Sequence, residues 1–196
     1  MGIEPDRERG GFRWDAQEAD PVVAAFHAVR RMTYASTGSR DPADLVRNGR
    51  GACTAKHLLL RELLASLDVP CRVETVSGYF GRGLPADAPG MPAELRDMIR
   101  DGGVPDYHNI VQARLDGREV LLDATWHDAM IPAGFPVNQD WDGRGDTRLA
   151  ITGERLGRET EDPVRMKSEL IAALPAADQA RRLRFLELIT QYSATR

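Results

Sequence analysis

The sequence predicts an α+β fold, helices and antiparallel strands in one chain, on three observations. A leucine-striped segment opening at Ala52 or Cys53 repeats with helical spacing. Two alternating segments, 107–115 and 118–124, flank Asp116-Gly117, the dipeptide most favoured in a two-residue hairpin loop. Two further amphipathic segments, 163–174 and 177–192, close the chain around Pro175. The 196 residues suffice for one domain with an appendage and for a sizeable core. We expect a flexible polar arm at 1–19 and a single domain at 20–196, with Phe12 and Trp14 able to dock on it.

Asp20-Pro21 reads as an N-cap followed by proline in the first helical position, and Val22, Val23, Phe26 and Val29 continue a helix over about 21–36. Residues 37–51 read as a polar loop, tight at Asn48-Gly49-Arg50-Gly51. The helix from Cys53 carries Leu58, Leu59, Leu63, Leu64 and Leu67 and is stopped by Pro70. Cys71 to Val76 is β-branched and reads as a strand, extending toward Phe80. Residues 81–106 are rich in Gly and Pro, hold a short helix at Pro92 to Arg100, and by their length suggest a lid. Residues 127–162 look irregular. In the last helix Leu183, Phe185, Leu186, Leu188, Ile189 and Tyr192 form a broad apolar face for the core, with a homo-oligomer contact as its other use. Arg181, Arg182 and Arg184 read as its exposed face.

Composition narrows the function classes. With 26 Lys and Arg against 30 Asp and Glu, the formal net charge is −4, without the basic footprint of a nucleic-acid binder. No apolar run approaches the ~20 residues of a membrane span, and residues 1–20 lack the apolar stretch of a secretory signal. Two cysteines make no disulfide framework. The expectation is a reducing, cytoplasmic setting with no membrane partner.

Three residues carry the chemistry: Cys53, His108 and Asp123. Cys53 opens a helix, where unpaired N–H groups and the positive end of the dipole favour thiolate. Cys71 lies in an apolar run and reads as a buried, inert thiol. If Asp116-Gly117 are the hairpin loop, Leu115 faces Arg118, His108 faces Thr125 and Asp123 faces Ile110. His108 and Asp123 then share one face as diagonal neighbours, with Cα atoms roughly 7–8 Å apart. A one-residue slip would separate them. An imidazole can take the thiol proton and return one to a leaving group, while a carboxylate fixes the ring. His57, four residues after Cys53, reads as packed beside this set or in the core, and His127 as a cleft or loop residue.

At these residues the chain resembles the transglutaminase-like superfamily, as its small bacterial members do. Gly51-Ala52-Cys53 with the leucine-rich helix resembles the cysteine segment, and Val69-Pro70-Cys71-Arg72 its exit into the first strand. Tyr107-His108-Asn109-Ile110-Val111 resembles the histidine strand, and Leu121-Leu122-Asp123-Ala124-Thr125-Trp126 the aspartate strand. The match covers about residues 47–127, with a helical extension at about 163–193. The resemblance implies a papain-like core: a helix carrying Cys53 packed on an antiparallel sheet carrying His108 and Asp123. It implies acyl transfer through a thioester, with Cys53 as nucleophile, His108 as general base and acid, and Asp123 as orienting carboxylate. The backbone N–H of Cys53 and a donor upstream, Asn48 or Tyr34, would bind the oxyanion. Trp126 and Tyr107 would line the pocket. No cofactor and no metal are called for. The substrate would be a peptide, a small amide or a carrier-bound acyl group, and the acceptor water or an amine.

Three other readings stand beside this one. Arg50-Gly51-Ala52-Cys53 is also similar to the Arg-Gly-Gly-x-Cys of arylamine N-acetyltransferases. A catalytically inactive binding module could carry the same residues. Cys53, His57, His108 and His127 could be imagined as zinc ligands, although no Cys-x-x-Cys or His-x-x-x-His pair supports it.

Overall fold

A computed structural model describes residues 3–6, 11–14, 20–158 and 160–196. Strands β1 (Ile3–Pro5) and β2 (Phe12–Trp14) pair antiparallel, and Ile3, Phe12 and Trp14 pack against the core. Residues 1–2, 7–10 and 15–19 of the expected arm lie outside the described residues.

Helix α1 (Pro21–Arg31) starts as the sequence predicts: Asp20 Oδ1 accepts from the N–H groups of Val22 at 2.9 Å and Val23 at 3.2 Å. It ends earlier than the expected residue 36. The Lys56 ammonium captures the carbonyls of Arg30 and Met32, and Met32 turns to an extended conformation. The chain continues into β3 (Thr33–Tyr34), which pairs parallel with β4 (Arg50–Gly51). Between them, where a loop is expected, stands α2 (Pro42–Asn48), capped by Asp41 and ended by Gly49 in the left-handed conformation at φ 65°.

Helix α3 (Cys53–Ala65) is followed by β5 (Cys71–Phe80), α4 (Ala93–Arg100), β6 (Val104–Leu115) and β7 (Arg118–Leu122). The hairpin has the expected register, Leu115 opposite Arg118 and Val111 opposite Leu122. Residues 127–162 are less irregular than expected. They hold a 3₁₀ segment (Asp128–Ala133) and β8 (Ile151–Arg155), which pairs with β5. Gly78 lies opposite Gly153 in that pairing, and a Cβ on Gly78 would come within 2.2 Å of the Thr152 carbonyl oxygen. The antiparallel sheet runs β7-β6-β5-β8, and α5 (Pro163–Ala172) and α6 (Ala176–Ala194) close the chain.

Alternation along β6 divides the core. Val111 and Ala113 join Val120, Leu122, Phe26 of α1 and the leucines of α3, whereas Val104 and Ile110 join α4 and α6. Segment 81–106, expected as a lid, is a packed wall: Leu84, Met91, Leu95, Met98 and Ile99 are buried in the same cluster as Phe185 and Ile189. The apolar face of α6 serves this core, leaving Leu183 as its exposed large side chain. Ala52 packs against one cluster and Ala55 belongs to the other, so the first turn of α3 sits where the two cores meet. Among the described residues no helix is long and apolar enough to cross a membrane.

Candidate active site

The first turn of α3 has no capping side chain at Ala52, so its amide groups present an unopposed positive pole to whatever lies beyond Cys53. The Cys53 side chain is buried there. His108, opposite Val76 in the middle of the sheet, and Asp123, one residue past the end of β7, meet as the register predicts. His108 Nε2 lies 2.8 Å from Asp123 Oδ2. That bond leaves the other ring nitrogen, Nδ1, to serve the thiol, and His108 and Cys53 line the same cleft.

Asp123 is fixed from every side. Its Oδ1 accepts from Thr125 N at 3.0 Å and its Oδ2 from Ala150 N at 2.7 Å. Its own N–H donates to Thr147 Oγ1 and its carbonyl accepts from Asn138 Nδ2. His57, fully buried, places Nδ1 2.8 Å from the Cys53 carbonyl and accepts from Ala124 N at Nε2, 2.9 Å away. An amide donor at Nε2 requires the proton on Nδ1, so the two contacts set the tautomer. His57 therefore bridges the start of α3 to the segment after β7. A second bridge is Thr54 Oγ1 donating to Asn109 Oδ1 at 2.8 Å, with Asn109 Nδ2 donating to Thr75 Oγ1. The neighbours of the cysteine and the histidine in their two motifs thus bond each other. Phe80 stacks on the His108 ring, with centroids 6.3 Å apart, and Trp126 stacks behind Phe80.

A further group enters from α5. Lys167, 3% exposed, places Nζ 3.3 Å from Cys53 Sγ. Burial pushes the thiol pKa up, but the charges of Lys167 and His108 outweigh it and hold it well below the usual thiol value. Burial likewise disfavours a charged His108, yet Asp123 and the Cys53 sulfur raise its pKa to about 10. Burial works against an ionised Asp123, and the His108 charge and hydrogen bond hold its pKa well below the usual carboxylate range. All three directions describe a thiolate–imidazolium pair backed by a carboxylate.

Several expected neighbours lie elsewhere. Asn48 is exposed and bonds the Asp44 carbonyl. Tyr34 does line the cleft, its hydroxyl pKa raised first by burial and then by the Cys53 and Asp106 charges. Trp126 is behind Phe80, and neither it nor Tyr107 lines the cleft. His127 is buried away from the cleft, accepts from Tyr34 N, and has its pKa lowered to about 4 by burial and the nearby Lys56. Arg182, expected on an exposed face, is buried and pairs with Asp106 at 2.6 Å. Cys71 is half-buried, its Sγ against the Arg61 carbonyl and its pKa raised by burial. Sequence reasoning missed Lys167, which no local motif marks. It placed His57 near the site through its spacing from Cys53.

Among the described residues, His57, His108 and Asp123 bring three potential metal-ligand atoms within 4.8 Å of one another. These atoms are engaged with each other and with the Ala124 amide, and neither Cys53 nor His127 completes the set imagined for zinc. The cleft, of about 170 Å³, is lined by Cys53, His108, Tyr34, Phe80, Lys167 and Leu186 among others.

No family model matches this chain, and no curated protein does. Among solved structures, a candidate cysteine protease from Cytophaga hutchinsonii is similar over 53% of this chain at 20% identity, with a TM-score of 0.35. This chain covers 30% of that one.

Proposed function

We propose that the protein belongs to the cysteine-nucleophile acyl-transfer enzymes. Within that class we assign it to the transglutaminase-like group of papain-like folds, on the motifs around Cys53, His108 and Asp123. The observation that carries the proposal is the Asp123–His108 pair, which shares one cleft with a thiol opening an uncapped helix.

In this reading the Cys53 thiolate attacks the carbonyl carbon of an amide or thioester. The carbonyl electrons move to oxygen, which the Cys53 N–H stabilises. Collapse expels the amine or thiol, which takes a proton from His108, and leaves a thioester on Cys53. His108, now neutral, accepts a proton from water or an amine as that acceptor attacks the thioester. Asp123 holds the ring orientation through both halves and stabilises its cationic form. The cleft of about 170 Å³ favours a small acyl group or the end of an extended chain.

The test is intact-mass detection of a covalent acyl adduct after exposure to a panel of amides, thioesters and activated esters. The reading expects an adduct on wild-type protein that maps to Cys53 and is absent from Cys53→Ala. Turnover that persists in Cys53→Ala would reject it.

A further inference from the structure

We propose that Lys167 is a catalytic residue of this site: its ammonium pairs with the thiolate of the free enzyme and transfers its hydrogen bond to the carbonyl oxygen as that oxygen becomes negative. The inference rests on the acyl-transfer reading and supplies the oxyanion donor that the motifs leave open.

Three observations support it. The Lys167 Nζ lies 3.3 Å from the reacting sulfur, closer than a role in surface charge would need. The side chain is 3% exposed, so water cannot serve as its main partner. The other cations at the cleft are already engaged, Arg182 with Asp106, and Arg40 with the Val164 carbonyl and the Ser168 hydroxyl. A buried ammonium needs an anion or a set of acceptors. Here the acceptor is the sulfur, and attack removes its charge. The electron pair that forms the S–C bond comes from sulfur, and the carbonyl π pair moves to oxygen, two bonds away. Negative charge thus leaves one atom and arrives at its neighbour within reach of the same N–H groups. When the adduct collapses, the oxygen returns its electrons to carbon and the leaving group takes the proton of His108. Lys167 keeps its own proton throughout, so it stabilises charge without acting as acid or base.

The experiment compares two reagents on Cys53. Iodoacetamide alkylates the thiolate by displacement at a saturated carbon and forms no oxyanion. The ester p-nitrophenyl acetate acetylates it through a tetrahedral adduct. The ratio of the two rate constants at one pH cancels the thiolate fraction, so oxyanion stabilisation is the main quantity left in it. In Lys167→Met the ratio of acetylation to alkylation should fall roughly tenfold or more. Lys167→Gln, which keeps a neutral donor of similar length, should fall by less and covers the case in which the methionine variant does not fold. A ratio equal to that of wild type in both variants overturns the proposal, even if both reactions slow together. Wild-type protein that is alkylated at Cys53 yet not acetylated there removes the acyl-transfer reading itself, and this inference with it.

Discussion

Asp123→Asn exchanges one oxygen for an NH₂ group, and the surroundings of that carboxylate show what the exchange does. Oδ1 accepts from Thr125 N at 3.0 Å, and Oδ2 accepts from Ala150 N at 2.7 Å and from His108 Nε2 at 2.8 Å. Whichever way the amide is turned, its NH₂ faces at least one buried N–H donor, an unmet hydrogen bond of about 1–3 kcal/mol. The change also removes the anion from a buried ion pair, a loss of about 3–5 kcal/mol when the other partner stays charged. His108 can escape part of that loss by releasing its proton, so we expect a net destabilisation of about 2–5 kcal/mol at pH 7. Without the Asp123 charge the burial of His108 prevails and its pKa falls, and the thiol loses one of the two cations that hold it ionised. Urea unfolding of wild type and variant measures the first effect, and the iodoacetamide rate at pH 7 the second, with a drop of roughly tenfold or more expected. A variant within about 1 kcal/mol of wild type that keeps the full alkylation rate would refute the reasoning, because the carboxylate would then govern neither the fold nor the sulfur.

Three more predictions concern the frame and its protons. Lys56, fully buried, donates to the carbonyls of Arg30, Met32 and Thr125; Lys56→Met should cost at least about 3 kcal/mol, seen as a lowered melting temperature, and an unchanged melt would contradict it. Thr54→Val removes the donor to Asn109 Oδ1 and should cost about 1–3 kcal/mol in urea unfolding, whereas equal midpoints would show the bridge to be idle. An ordinary thiol in the unfolded chain is about half ionised at pH ~8.5 and almost fully by about 9.5, so the opposing slope from Cys53 fades across that range and stays smaller than that of His108. His108 is neutral in the unfolded chain at that pH but stays protonated in the fold up to about 10. The folded state therefore binds the extra proton, and stability should fall as pH rises from about 8.5 to 10. The same titration in His108→Gln should be flatter, and identical slopes would count against the raised pKa.

The hairpin was the most legible part of the sequence. Asp116-Gly117 sets the turn, the turn sets the register, and the register puts His108 and Asp123 within bonding distance. The helix from Cys53 was legible from its leucine stripe. Helix α2 had a readable signal as well: Asp41-Pro42 repeats the pairing of Asp20-Pro21, and Asp162-Pro163 repeats it again. The short length of α2 and its polar surroundings concealed it. Strand β8 is five residues long, mostly exposed, and pairs on one side with Val76 to Phe80 of β5, so alternation gave it no mark. Lys167 stands 114 positions from Cys53 on a helix whose spacing shows only an amphipathic face. Its role arises from tertiary placement, and no local pattern encodes that. Arg182 was concealed for the same reason, since only the fold brings Asp106 to it.

The central claim is that the fold ionises one particular sulfur, and the two cysteines offer a direct test. Exposure alone would make half-buried Cys71 react before Cys53, which is 7% exposed. Charge predicts the reverse, because burial raises the Cys71 pKa while Lys167 and His108 lower that of Cys53. Peptide mapping of protein treated briefly with iodoacetamide at about pH 6, where an ordinary thiol is almost wholly protonated, should find the label on Cys53 and little on Cys71. Label on Cys71 first, or slow and equal labelling of both, would contradict the account.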